Sequence, residues 1–314
     1  MSAAVRSTAA AAERPRGAGR TRADARRRST LMAYFFVLPF VLSFLLFMVV
    51  PLLSSLGMSF TDFTARDVAT PFNVTPVGFD QYAKLFHDAQ FLHSLRNTGY
   101  FVVVAIPLTM AVALALALAL NSGITRMRTA FRVGFYTPVV TSIVAVAVVW
   151  RFVLQRDGLI NAALGLVGID GPDWLNSTTW SMPAMILMAV WRNMGTLMVI
   201  FLAGLQGIPQ DVMEAARVDG AGAWQRFARI TLPLLRPTML FGAVLLSVGY
   251  LQFFEEPFVM TQGGPLDSTL SVSYYAYNQF GFGNYATAAA ASYVLFVAIA
   301  LLSLFQFRLF RSQD

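Results

Sequence analysis

Six apolar stretches constrain this chain more than any other feature: residues 31–56, 98–120, 133–154, 181–205, 238–260 and 285–307. A helix rising about 1.5 Å per residue needs about 20 apolar residues to cross the hydrocarbon core of a bilayer. Each stretch meets that length. Charged residues make up only 12% of the chain and hydrophobic ones 57%, whereas soluble domains carry about 25% charge. Strands of a membrane barrel would show segments of about ten residues with alternating polarity, and none occur. The run at 113–120 alternates Ala with Leu, but both are apolar and both favour helix. The expected fold is therefore all-α and integral to the membrane, with six transmembrane helices.

The net charge of +7 suggests nucleic acid until it is located. Residues 1–30 hold eight arginines against Glu13 and Asp24, while the remaining chain carries 15 basic and 14 acidic groups. A neutral body offers no nucleic-acid surface. The tail reads as a disordered cytoplasmic segment near anionic lipid, although its Ala, Ser and Arg content also suits an organelle transit peptide. The first stretch is too long for a secretory h-region of about 7–15 residues, and no small-x-small cleavage site follows it. Counting positive charges by side puts 17 with the tail, the 126–132 region, the 207–237 loop and the C-terminus, against five on the other side. Cytoplasmic loops retain Lys and Arg, so both termini are expected in the cytoplasm.

Several chemistries fall away. The chain has no cysteine for a disulfide or thiolate site. Its two histidines, His87 and His93, lack the i, i+4 spacing of a metalloprotease helix. The single lysine, Lys84, does not follow a glycine-rich loop, so the chain is not itself a phosphate-loop ATPase.

The loop from Gly207 to Pro237 carries the clearest local signals. Pro209 suits a first helical turn, where its missing N–H is no loss. Asp211 and Glu214 lie near the positive end of that helix dipole, and Gly220 is placed to end it in a left-handed conformation. A second short helix is expected from about Gly222 to Thr231, broken by Leu232-Pro233. It sets Trp224, Phe227, Ala228 and Thr231 on one face and Arg226 and Arg229 on the other. Such a pair reads either as a knob for a partner's groove or as an amphipathic segment on the bilayer surface.

The pattern Glu214-Ala215-Ala216, Asp219-Gly220-Ala221, Ile230, Leu232-Pro233 and Pro237 resembles the EAA loop of permease subunits in bacterial binding-protein-dependent ABC importers. Thr261-Gln262-Gly263-Gly264-Pro265 with Ser268-Thr269 is similar to a segment of the carbohydrate-uptake branch of that family. The resemblance covers roughly residues 31–310. It implies a pair of coupling helices docked on a separate ATPase dimer, which holds ATP and Mg²⁺; this chain itself binds no cofactor. Glu214 would face the ATPase, Ala215 and Ala216 would allow close approach, and Gly220 would form the bend. Trp224, Phe227, Ile230, Leu232 and Pro233 would complete the coupling loop. Further implied partners are a second permease subunit, homologous to this chain, and an extracellular or periplasmic substrate-binding protein.

Ionisable residues inside a span usually face a cavity or a partner. Arg192 with Asn193, and Glu255 with Glu256, stand in the fourth and fifth stretches. Counting about 1.5 Å per residue places Arg192 and the glutamates within about 6 Å of each other along the membrane normal. Gln252, Glu255 and Glu256 fall at i, i+3 and i+4, interleaved with Tyr250, Phe253, Phe254 and Phe258. Amides, carboxylates and aromatic faces together suit a sugar in a translocation pathway. An ion pair that merely locks the bundle fits the same residues. Pro257 is expected to kink or unwind this span. Neighbouring carboxylates on a helix diverge by about 100° and cannot flank one glycosidic bond, so no catalysis is expected. The competing transport readings are a secondary transporter driven through Glu255 and Glu256, and an importer for a glycerol-phosphate compound.

Overall fold

The computed structural model describes residues 32–70, 74–122 and 128–310. The arginine-rich tail, Arg126 and Arg311 lie outside them. The chain divides into a unit ending at Ser55 and another beginning at Leu56. The helix α1 is described from Met32 to Met58 and so crosses that division. It contains a π turn at Leu45–Val49, just ahead of Pro51, whose ring would clash with a regular turn. Its apolar side chains are exposed along its length, as suits a surface solvated by lipid.

The second unit is a helical bundle built on two long members, α3 (Ala89–Ser122) and α7 (Ser181–Gln206). A short helix α2 (Asp80–His87) precedes α3. On α3, Ala105, Thr109, Ala113 and Ala117 follow one another at every fourth position and are fully buried. Small residues at that spacing let two backbones approach closely in a membrane, and α3 makes its most extensive contact with α7. The helix α3 begins nine residues before the apolar stretch at 98–120, because hydropathy marks only the part that lipid can cover.

The third stretch, expected as one helix, is two: α4 (Arg128–Val140) and α5 (Ile143–Val153), bent by 100°. Pro138 removes a helix hydrogen bond, and the hydroxyls of Thr137 and Thr141 turn back onto the carbonyls of Val133 and Thr137, which bends helices further. Helix α4 crosses α7 at Gly195, where any Cβ would collide with the Phe135 carbonyl. A small helix α6 (Leu159–Leu166) follows α5.

After α7 come α8 (Gln210–Val218) and α9 (Ala223–Leu234). The fifth stretch is again interrupted. Helix α10 (Arg236–Leu251) stops, Gln252–Phe254 are non-helical, and α11 (Glu255–Met260) resumes. The expected effect of Pro257 is present, displaced upstream. Its ring excludes a helical Phe253 carbonyl four residues back, while Pro257 itself sits in the first turn of α11, where no N–H is required. Helices α12 (Val272–Gly281) and α13 (Tyr285–Phe310) complete the unit. Among the described residues, four helices are each long and apolar enough to cross a membrane, and two bent pairs raise the number to six if each pair is one crossing.

One end of this unit carries the segment 57–88, the segment 155–180 and the loop 261–271; we term it the loop end. There Ala286 N donates to Phe63 O and Ala65 N to Gly283 O, so segment 57–88 caps one free N–H in the first turn of α13 and is tied to the residues just before it. The Tyr275 hydroxyl donates to Asp88 Oδ2 at 2.5 Å, and burial, then that carboxylate, push its pKa up. The opposite end carries α8 and α9; we term it the hairpin end.

Candidate functional site

Two features bring the sequence-selected residues together. At the hairpin end, α8 stops as its glycine requires. Gly220 has φ +79°, its N–H reaches Arg217 O at 3.1 Å, and Ala221 N reaches Ala216 O at 2.9 Å. That pair of bonds is the Schellman arrangement, which a residue with a Cβ adopts only at a cost. Pro209 stands at the N-cap, one position earlier than expected.

The second helix departs from expectation. It does not break at Leu232-Pro233 but runs to Leu234, with a π turn at Phe227–Thr231, and the 65° bend falls at Leu235. The wider π turn accommodates Pro233, which has no N–H to offer a regular one. Trp224 is 74% exposed and its ring lies 5.5 Å from that of Phe227. Thr231 is buried, with Ile230, Leu232 and Pro233 half-buried. Of the acidic helix, Glu214, Ala215 and Asp219 are exposed, whereas Ala216 is buried. A hollow of about 900 Å³ opens between this hairpin and the ends of α3 and α7; Glu214, Arg217 and Arg226 line it.

The second feature is a cavity of about 290 Å³ inside the bundle, lined by Arg192, Asn193, Tyr250, Phe253, Glu255 and Glu256 among others. Six of the seven selected residues therefore converge. Gln252 does not: it is exposed, because the helix ends beside it and the i, i+4 relation to Glu256 no longer holds. Phe254 and Phe258 also turn away, stacking with each other at 5.1 Å and meeting Tyr274 and Tyr277 of α12. Six lining residues were missed, the polar Thr196 and the apolar Ile143, Leu197, Leu245, Leu246 and Gly249. Thr196 is one turn beyond Arg192 and was within reach of helical periodicity; Ile143 enters only through the α4–α5 break.

The polar groups of the cavity fall into two classes. Tyr250 is tied down: its hydroxyl donates to Ala189 O at 3.1 Å and meets Thr109 Oγ1 at 2.9 Å, while Asn193 Nδ2 donates to the same carbonyl at 2.9 Å. Phe253 is equally fixed, stacked on Phe101 at 4.1 Å. The charged groups are not satisfied. Arg192 Nε and Glu256 Oε2 are buried without hydrogen-bond partners, and Glu256 is only 4% exposed. No ion pair within 4.0 Å joins Arg192 to either glutamate, so the bundle-locking pair that axial spacing allowed is not formed. Unpaired buried charge is costly, and the wall can meet that cost by engaging a polar guest or water. Among the described residues, no group of His, Asp and Glu is arranged to hold a metal.

Residues 101–312 match the family described as the binding-protein-dependent transport system inner membrane component. The chain is 35% identical over 293 residues to the lactose transport system permease protein LacF of Rhizobium radiobacter, covering 91% of this chain and 96% of that one. A crystal structure of a bacterial ABC transporter involved in importing the acidic polysaccharide alginate has a chain that superposes with a TM-score of 0.75 at 28% identity, covering 93% of this chain and 98% of that one. The alginate transporter bound to its pentasaccharide-loaded periplasmic protein superposes at 0.73 and 27%, covering 90% and 95%. Helical bundle, interrupted spans and family match agree: this chain belongs to the inner membrane components of binding-protein-dependent transport systems.

Proposed function

We propose that this chain is the permease subunit of an ATP-driven importer of a sugar or oligosaccharide, with its termini and its hairpin in the cytoplasm. The observation that carries the reading is the hairpin. It is a helix ended by a left-handed glycine, with Glu214, Ala215 and Trp224 exposed for a partner. An ATPase dimer holding ATP and Mg²⁺ grips it, and closure of that dimer biases the bundle between two packings. Ala215 allows close approach, Ala216 packs inward, and the π turn and the bend at Leu235 pass the displacement into α10. The asymmetry of positive charge supports the orientation.

A carbohydrate cargo is supported by the relatives, one a lactose permease and one an alginate importer. The cavity fits that cargo as part of the pathway, since Arg192 and Glu256 offer unsatisfied polar groups, with Glu255 in the same wall, beside aromatic rings. A second permease subunit, homologous to this chain, completes the pathway, and an external binding protein delivers the substrate.

Purification from native membranes in mild detergent tests the assignment. The expected outcome is co-purification of an ATPase and a second permease, with the ATPase weakened or lost in Glu214→Ala. A chain that purifies alone and transports under an ion gradient would overturn it and make Glu256 the centre of a proton-coupled mechanism.

A further inference from the structure

A second polar pocket, of about 410 Å³, lies at the loop end. One wall is a single face of α3, where His93, Arg96, Asn97 and Tyr100 follow one another at i, i+3, i+4 and i+7. These residues occupy the extra turns of α3 before or just within the apolar stretch, where a charge need not enter lipid. The opposite wall is the loop 261–271, presenting Ser268 and Leu266, with Thr178 and Thr179 closing the side next to α7.

The pocket is built before anything enters it. Asn97 Nδ2 donates to Asp267 O at 2.7 Å and Leu270 O at 3.0 Å. Gln90 Nε2 donates to Asp267 Oδ2 at 3.2 Å, and Ser268 meets Ser181 of α7 at 3.1 Å. The loop is thus fastened to both long helices. It holds Leu266 at φ +49° with 88% of its surface exposed. Gln90 engages the Asp267 carboxylate, Arg96 is exposed, and no hydrogen bond or ion pair occupies its guanidinium among the described residues.

The charge around the pocket has the opposite sign. Segments 57–88 and 155–180 carry Asp62, Asp67, Asp80, Asp88, Asp157, Asp170 and Asp173 against Arg66, Lys84 and Arg156. A lone cationic pocket in an acid-rich face sets a register that only a complementary surface can satisfy. A free guanidinium fork takes a carboxylate in two parallel bonds, and an exposed Leu beside a free Arg is the mix of a protein interface with an apolar anchor.

We propose that this pocket receives an Asp or Glu side chain of the external substrate-binding protein, with Leu266 packing beside it. The assignment rests on the importer reading above and adds the place and chemistry of the contact. The pocket lies among three elements at the loop end of the bundle. Tyr100 is the single aromatic residue in the lining, which gives a sugar ring little to stack on.

The test uses the assembled importer in nanodiscs, titrated with its own purified binding protein while ATP hydrolysis is followed. Arg96→Glu is expected to raise the half-saturating concentration of binding protein by about tenfold or more, leaving unstimulated hydrolysis unchanged and flattening the salt dependence. Arg96→Lys, which keeps charge but loses the fork, should shift it less. Leu266→Asp should act in the same direction as Arg96→Glu. Superimposed titrations for wild type and Arg96→Glu would overturn the assignment while leaving the importer reading intact. Absence of any stimulation in the wild type would overturn both. Two further results overturn it in favour of other carboxylate or phosphate sources. One is competition by free glucuronate that Arg96→Glu abolishes while the binding-protein titration stays unmoved. The other is an Arg96 effect that vanishes when phosphatidylglycerol is replaced by phosphatidylcholine.

Discussion

The loop end and the hairpin end are built from similar short helices but held together by different means. At the loop end, side chains fasten segment to segment. Gln81 donates to Thr61 O at 3.0 Å, Asn97 bonds two carbonyls of loop 261–271, Tyr275 bonds Asp88, and Asn161 accepts from Trp174 Nε1 at 2.7 Å. At the hairpin end, the side-chain bonds described within α8 and α9 are local. Arg226 reaches Ala221 O at 2.5 Å, and Gln225 accepts from Gly222 N at 3.0 Å. Behind them lies the hollow of about 900 Å³. The first arrangement ties its parts to one another; the second leaves the hairpin to move on its bend in the way the proposed coupling requires. A platform at one end and a lever at the other is what transmission across a membrane requires.

The contrast breaks most readily at Asn97. Asn97→Leu removes both donors and leaves the carbonyls of Asp267 and Leu270 to find water or go unpaired, at a cost of about 2 kcal/mol. Hydrogen exchange should then accelerate throughout 261–271 and leave 210–220 unchanged. Acceleration at both ends alike would mean that the platform and the lever are not separate units. A smaller effect is expected from Gly220→Ala, about 1 kcal/mol from the left-handed conformation alone. It should appear as faster exchange at 216–221 and as weaker coupling of hydrolysis to transport, with the loop end silent.

The smallest effect concerns pH. Asp62 accepts from the hydroxyl and, at 2.9 Å, from the backbone N–H of Thr75, and these bonds hold its pKa below the ordinary 3.8. A lowered folded-state pKa stabilises above the unfolded value and is lost as pH falls through the folded one. The 61–76 staple should therefore loosen only below about pH 3.8, read as local exchange between these residues. Thr75→Ala, which removes the hydroxyl but keeps the backbone N–H, should loosen the staple partly at neutral pH.

Legibility in the sequence followed the physics of each feature. Hydropathy located the long apolar helices among the described residues because an apolar stretch is a matter of composition over about 20 residues. Gly220 was legible because a left-handed position restricts residue type so strongly. The bend at Thr141–Ser142 was not, since hydropathy is blind to a backbone whose Pro138 and threonine hydroxyls weaken it from within. Gln252 failed for a related reason: helical periodicity assigns faces only while the helix lasts, and Pro257 ends it upstream. Arg192 and the glutamates line one cavity, but axial spacing contains no information about azimuth, and the pair is open.

The knot at Tyr250 gives that cavity a stiff side and a soft side. Thr109, Tyr250 and Ala189 join α3, α10 and α7 through hydrogen bonds, so those three helices separate only by breaking them. Across the cavity, α5 packs against α11, and among the described residues no side-chain hydrogen bond joins that pair. Dilation by the same distance therefore costs more on the first side than on the second. The cavity behaves less like a ring that expands evenly than like a door, with its hinge post at Tyr250 and its leaf made of the two short helices that follow the chain breaks.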